Sequence, residues 1–278
     1  MNKIDLFTFV YADLYKYAEL FHRSCEAMKS GDVEINYKCI ESISMDKKPE
    51  GYKRVATTGK SNKGDSFNHS IAVNEAFNHI ESKYVIFADA DVAITYKDWD
   101  KVVIDKLDSG LSCFGFDYYR KSRRYFNFPN IYFFAFNNEL ISDVNLDFRP
   151  RISNGKIDDE NIDTDQKSYL SGKPFGEYIK CDTGWNVPFT IKGAGLKGES
   201  IPCFRSDTEG QILPFRNDKQ KKLSFKKHRL MNEFIYNGEL FGTHLKRCRF
   251  NNYDSKYGKI WRDRISLYFN KKYGIKFE

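Results

Sequence analysis

Tyr84-Val-Ile-Phe-Ala-Asp89-Ala-Asp91-Val-Ala-Ile94 is the stretch on which the reading of this fold turns. Uncharged residues rich in β-branched and aromatic types run into two carboxylates, the pattern of a strand buried on both faces. Side chains alternate along an extended backbone, so Asp89 and Asp91 are expected on one side, with Ala90 pointing away. In open α/β sheets the carboxyl edge of the strands is where ligands sit.

Upstream, Ile4 to Tyr11 reads as a first strand, and Leu14, Tyr17, Ala18, Phe21, Cys25 and Met28 fall at helical spacing on one face. Ser30-Gly31 stops that helix. Val33, Ile35, Tyr37 and Cys39 then alternate as a second strand, which makes the opening a βαβ unit with parallel strands. A polar loop from Thr57 to Gly64 leads to a helix capped by Asp65 or Ser66, with Ala72, Val73, Ala76, Phe77 and Ile80 as its apolar face. Gly59-Lys60-Ser61 echoes the end of a phosphate-binding P-loop, but the glycine that motif needs is replaced by Arg54, which excludes it.

Downstream, a helix is expected over 99–107, strands over 111–116 and 131–136, and a short helix near 139–144. Between the two strands, Tyr118 to Phe126 interleaves Arg120, Lys121, Arg123 and Arg124 with aromatic rings, a composition suited to stacking combined with phosphate contacts. Residues 149–176 show no sustained period and carry five acids between Asp158 and Asp165, which reads as an irregular lid-like segment. Cys181-Asp182-Thr-Gly-Trp185 leads into a helix over 185–195, followed by a short strand near 200–204 and a basic helix near 259–272.

Charge is distributed unevenly. Residues 1–215 hold 28 Lys+Arg and 32 Asp+Glu, whereas 216–278 hold 17 and 6, so the C-terminal quarter carries a net +11. Such a segment attracts polyanions: nucleic acid, an anionic membrane surface or a charged substrate. Six scattered cysteines without a Cys-x-x-Cys pair, and Asp5 where an export signal needs its apolar centre, point to free thiols in a cytoplasmic protein. No apolar run approaches the ~20 residues needed to span a bilayer.

The run Ser61-Asn-Lys-Gly-Asp-Ser-Phe-Asn-His-Ser-Ile-Ala-Val-Asn-Glu-Ala-Phe77, followed by Tyr84 to Asp91, resembles the nucleotide-sugar-binding half of GT-A glycosyltransferases of the Asp-x-Asp type. The resemblance implies an α/β fold: a Rossmann-like, mostly parallel central sheet flanked by helices, with a basic, largely helical C-terminal extension. It divides the chain into a catalytic domain over 1–215, with a donor half to about 140 and an acceptor half beyond it, and a segment 216–278 that completes the site. It implies sugar transfer from a nucleotide donor, a UDP-sugar first among them, with Mn²⁺ or Mg²⁺ held by Asp91, Asp89 and a C-terminal histidine, for which His244 is the best placed. Asp89 also faces the ribose. Tyr11, Asp13, Lys60, Asn62, Gly64 and Ala90 are implied donor contacts, with Lys246 and Arg247 on the phosphates. Asp182 is implied as the base that takes the acceptor's proton, a role for which a helix N-cap is the competing reading, and Trp185 offers a ring face. Arg120, Arg123 and Arg124 suit a polyanionic acceptor.

Three other readings share parts of this pattern. A haloacid-dehalogenase-type phosphatase also ends a strand in Asp-x-Asp, but there the motif opens the domain. A nucleotidyltransferase shares the metal logic and releases pyrophosphate. A non-catalytic nucleic-acid module leaves Asp89 and Asp91 without a role. For the acceptor, a hydroxyl on a modified DNA base and a glycan built by peripheral contact with an anionic membrane both suit the basic segment.

Overall fold

The computed structural model describes residues 1–11, 14–42, 48–59, 65–119, 126–150, 152–153, 156–157, 182–205, 231–245 and 253–277. Its opening is the expected βαβ unit: β1 (Asn2–Val10), α1 (Tyr15–Met28) and β2 (Val33–Glu41), with β1 and β2 parallel in unbroken register. The apolar stripe of α1 is buried as its spacing predicts, from Tyr17 and Ala18 through Phe21 and Cys25 to Met28. Each large side chain so buried contributes about 1.5–3 kcal/mol relative to exposure. β3 (Lys53–Thr57) then adds a parallel edge strand, and α2 (Asp65–Ala76) follows, continued by a single 3-10 turn.

β4 (Tyr84–Asp89) is the central strand, with all its residues but the last buried. The strand expected to run from Tyr84 through the Asp89/Asp91 pair stops at Asp89. Ala90 and Asp91 form a turn, and Val92–Ile94 is β5, which belongs to a different sheet. Asp89 therefore ends one strand and Asp91 stands just before the next, so their convergence comes from a change of direction and not from strand alternation.

The chain continues through α3 (Trp99–Asp108), β6 (Cys113–Phe116), β7 (Phe133–Asn137), the single-turn α4 (Asn138–Ile141), and a two-residue pair, β8 (Ile152–Ser153) with β9 (Lys156–Ile157). α5 (Val187–Gly193) precedes β10 (Gly198–Ile201) and β11 (Cys203–Arg205), so the short strand expected near 200–204 is two strands in two sheets. β12 (Met231–Tyr236) and β13 (Glu239–Leu245) form an antiparallel hairpin, and α6 (Lys256–Tyr273) is the basic helix foreseen for the C-terminal segment.

The seven-stranded sheet runs β10-β6-β7-β4-β1-β2-β3, parallel except for β7, which lies antiparallel between β4 and β6. The second sheet, β11-β12-β13-β5, is antiparallel. One core joins the large sheet to α1, α3, the second sheet and α6 through Trp99, Phe116, Phe241 and Trp261. The other packs α2 and α5 on the opposite face through Val73, Phe87, Phe136 and Ile191. Among the described residues no helix is long and apolar enough to cross a membrane, Cys25, Cys39 and Cys113 are buried free thiols, and Cys203 is buried.

Candidate metal centre

The site is built where the two sheets exchange the chain. β5 pairs with β13 so that His244 lies opposite Val92, immediately after Asp91, and the amide of Leu245 donates to the Asp91 carbonyl at 2.9 Å. That pairing needs Gly242: a Cβ there would stand 2.7 Å from the Phe116 ring and 2.9 Å from the Ala93 carbonyl oxygen. A bare backbone at this position is what lets β13 approach β5 closely enough to deliver His244.

His244 Nε2 is 3.4 Å from Asp91 Oδ1 and 4.0 Å from Asp89 Oδ2. One donor atom from each of the three residues lies within 4.8 Å of the others. Two ligands each ~2.1 Å from one ion stand roughly 3 Å apart when adjacent and roughly 4 Å apart when opposite, so the cluster has the span of a shared cation. Two carboxylates and an imidazole form a mixed oxygen and nitrogen set, suited to Mn²⁺ and tolerable for Mg²⁺. Asp91 and His244 are buried, and Asp89 is partly open. Among the described residues the ion-pair partners of these two carboxylates are histidines, which leaves their paired negative charge at a strand end to be offset by a cation.

Two aromatic side chains hold the ligands. The Tyr132 ring stacks on His244 with centroids 4.0 Å apart, and its carbonyl accepts from the Asp89 amide at 3.3 Å. His69, on α2, places Nε2 3.2 Å from Asp89 Oδ1 and lies edge-on to Phe9. It thereby occupies one carboxylate oxygen while the other turns toward His244. The sequence reading ranked His69 behind His244 and gave Tyr132 no role in the site. For His69 a signal was present: it lies three and four residues before Ala72 and Val73, on the stripe of α2 that faces the core.

The first turn of α2 gathers further expected residues. The Tyr11 hydroxyl donates to the Asp65 carbonyl at 3.1 Å, and its ring lies 6.3 Å from that of His69. Thr183 Oγ1 donates to the Ser66 carbonyl at 2.9 Å, which ties the Asp182 turn to the same helix end. Asp182 accepts from the Thr183 amide at 2.9 Å through its carboxylate and from the Trp185 amide at 3.0 Å through its carbonyl. This turn requires Gly184, whose φ of +73° is left-handed and whose absent Cβ would lie 3.1 Å from Phe148. The helix N-cap is Asn186, so Asp182 is not the cap that the competing reading made it.

Trp185 is buried beside Phe189, ring centroids 6.4 Å apart, in the core that also holds Phe126 and Phe148, a placement at odds with a ring face offered to a sugar. Ala90 is buried as well, its methyl group turned into the core from the turn between β4 and β5. Asp13, Lys60, Asn62, Gly64, Arg120, Arg123, Arg124, Lys246 and Arg247 lie outside the described residues, as does most of the expected lid.

A third carboxylate closes a strand at this edge of the sheet. Asp117 follows β6, which runs in the same direction as β4, and accepts from Ser200 Oγ at 2.9 Å and the Tyr118 amide at 2.6 Å. Burial outweighs those donors and pushes its carboxyl up to about 7.

Residues 60–189 match the family described as Glycosyl transferase family 2, a span that holds Asp89, Asp91 and Asp182 and stops before His244. Both runs that carried the sequence resemblance lie within it. No curated protein matches the chain. Among solved structures the chain is similar to a mannosyltransferase, PcManGT from Pyrobaculum calidifontis in complex with GDP-Man and Mn²⁺, at 16% identity and a TM-score of 0.39, over 52% of this chain and 47% of that one. It is also similar to residues 1–349 of S. aureus TarS in complex with UDP-GlcNAc, at 14% identity and a TM-score of 0.37, over 52% of this chain and 48% of that one. The chain thus spans about half the length of these structures.

Proposed function

We propose that this chain, with glycosyl transferase family 2 sequence across residues 60–189, is a metal-dependent glycosyltransferase that moves a sugar from a nucleoside diphosphate sugar to an acceptor hydroxyl. The observation that carries the reading is the convergence of Asp89, Asp91 and His244. Asp91 and His244 hold a Mn²⁺ or Mg²⁺ ion, and Asp89, steadied by His69, serves the ion and the ribose side of the donor. When bound, the ion supplies positive charge against the departing diphosphate.

In the transfer, the acceptor oxygen forms a bond to the anomeric carbon while the bond from that carbon to the diphosphate oxygen breaks, its electron pair leaving with the diphosphate. Asp182 takes the acceptor's proton. The tie between its turn and the first turn of α2 supports this role, because α2 also carries His69. The sequence resemblance supports Tyr11, Asp13, Lys60, Asn62 and Gly64 as donor contacts, and Lys246 and Arg247 as phosphate contacts. In this division 1–215 is the catalytic domain, and 216–278 completes it by supplying His244.

For the acceptor we favour a polyanion, with a hydroxyl on a modified DNA base as the case to test, supported by the net +11 of residues 216–278 and by the cations Arg120, Lys121, Arg123 and Arg124 in the sequence. Retention of duplex DNA on a filter at low salt, lost at high salt, is the expected result. No retention at low salt removes DNA and leaves the donor chemistry untouched.

The donor reading is tested by calorimetric titration of nucleoside diphosphate sugars with Mn²⁺ present, followed by assay of nucleoside diphosphate release. Asp91→Asn is expected to lower release on the order of 10³-fold with an unchanged unfolding midpoint. Full activity in that variant rejects the site, and release of pyrophosphate points to nucleotidyl transfer.

A further inference from the structure

The strand pairing that delivers His244 also sets Asn232 directly opposite it, and both side chains are buried. Asn232 Nδ2 lies 3.4 Å from His244 Nδ1, while Asn232 Oδ1, equally buried, has no hydrogen-bond partner among the described residues. A buried amide oxygen left without a donor costs about 1–3 kcal/mol, so its persistence asks for a state in which it is used.

The imidazole supplies that state. With Nδ2 donating to Nδ1, the ring proton sits on Nε2 and points at Asp91 Oδ1, 3.4 Å away. A nitrogen that carries a proton has no lone pair to give a cation. For His244 to ligate through Nε2, the proton must sit on Nδ1, and Nδ1–H then needs an acceptor. Half a turn of the carboxamide exchanges Oδ1 for Nδ2 without changing the space the side chain fills, and brings the unpartnered oxygen onto that proton.

We propose that Asn232 is a positioning residue for His244 whose carboxamide turns over when a cation binds, selecting the Nδ1–H tautomer and freeing Nε2 for the ion. The imidazole loses one proton at Nε2 and gains one at Nδ1, so the exchange is neutral overall. The surroundings hold the ring while this happens. Tyr132 stacks on it, Thr243 Oγ1 donates to the Asn232 carbonyl at 3.0 Å, and Trp261 Nε1 donates to that hydroxyl at 3.2 Å, so the two strands and α6 are locked together around the pair.

This inference rests on the cation site proposed above, and its test separates the two. Mn²⁺ affinity is measured on the full chain by calorimetry for the wild type, Asn232→Leu and Asn232→Asp, with unfolding midpoints alongside. Asn232→Leu, which offers no acceptor, is expected to bind Mn²⁺ about 10–100-fold more weakly. Asn232→Asp, which can only accept, is expected to bind at least as tightly as the wild type. Long-range ¹H–¹⁵N spectra of His244 are expected to show Nε2–H without Mg²⁺ and Nδ1–H with it. Wild-type affinity in Asn232→Leu, equal losses in both variants, or one tautomer in both states overturns the proposal while leaving the cation site standing. A wild type that binds no Mn²⁺ overturns both. Should Asn232→Leu fail to fold, Asn232→Asp and the tautomer readout decide.

Discussion

At the amino-terminal end of β4, Asp5 is fully buried and fully supplied: it accepts from the Glu81 and Ser82 amides and the Asn36 side chain, and pairs with Lys38 at 3.1 Å. At the carboxyl end of the same strand, Asp89 and Asp91 share two histidines, with a tyrosine ring beside them. Burial pushes the Asp5 carboxyl up, but its donors and Lys38 outweigh that, and it stays below the usual carboxylate range. The first end is finished by the protein itself, and the second, under the proposed function, is finished by a cation. Stability belongs to the former and chemistry to the latter.

The largest effect that can break this contrast lies at the finished end. Asp5→Ala removes the buried partner of Lys38, leaving its ammonium to the exposed Glu81 carboxylate and the His79 carbonyl, and orphans the Glu81 and Ser82 amides. An expected loss of about 3–5 kcal/mol is read from the urea midpoint, with Mn²⁺ affinity per folded molecule unchanged. An unchanged midpoint, or a loss of Mn²⁺ affinity, removes the division of labour.

Acidity sharpens it. Because the folded-state pKa of Asp5 is lowered, its contribution is present above the ordinary carboxylate range and is lost as the pH falls through the lowered value. Asp117 has the opposite sign. Its carboxyl is raised to about 7, so the folded state holds the proton more tightly, and stability declines as the pH rises from ~4 to about 7, then levels. Asp117→Asn is therefore expected to be more stable than the wild type at pH 8, by up to about 4 kcal/mol, and nearly equal to it at pH 4. The same gap at both values would show that burial of the charge is not the cause.

The smallest effect tests the delivery of His244. Gly242→Ala forces a methyl group against Phe116 and the Ala93 carbonyl, an overpacking expected to cost about 1–3 kcal/mol and to weaken Mn²⁺ binding as β13 draws back from β5. Destabilisation with unaltered Mn²⁺ affinity would mean that the strand pairing does not set the ligand's position.

What the sequence disclosed follows the strength of each local signal. The βαβ opening was legible because its strands and α1 bury long apolar patterns of distinct period. β3 was not read: Lys53–Thr57 is a short edge strand, half exposed, without a run to betray it. The β12–β13 hairpin was passed over although Asn237-Gly238 marks it, both residues having positive φ as a tight two-residue turn demands. Asp89, Asp91 and His244 were named together by the family resemblance, and the structure brings the three side chains to one place. Tyr132 and Asn232 were not named, because only the folded register places them against the ligands, whereas His69 carried a signal in its place on the core-facing stripe of α2. Trp185 shows the converse error: an aromatic beside an expected base suggests stacking, yet volume and shape send it to the core.

The turn at Ala90 and Asp91, where the chain leaves one sheet for another, also has a bearing on time. Asp91 is synthesised well before His244, so a growing polypeptide carries both acids before it can offer an ion three ligands. Under the proposed function, ion capture therefore waits on the pairing of β13 with β5. An ion at 100 times its dissociation constant would then stabilise the folded state by about 2.7 kcal/mol, a contribution that begins only with that pairing.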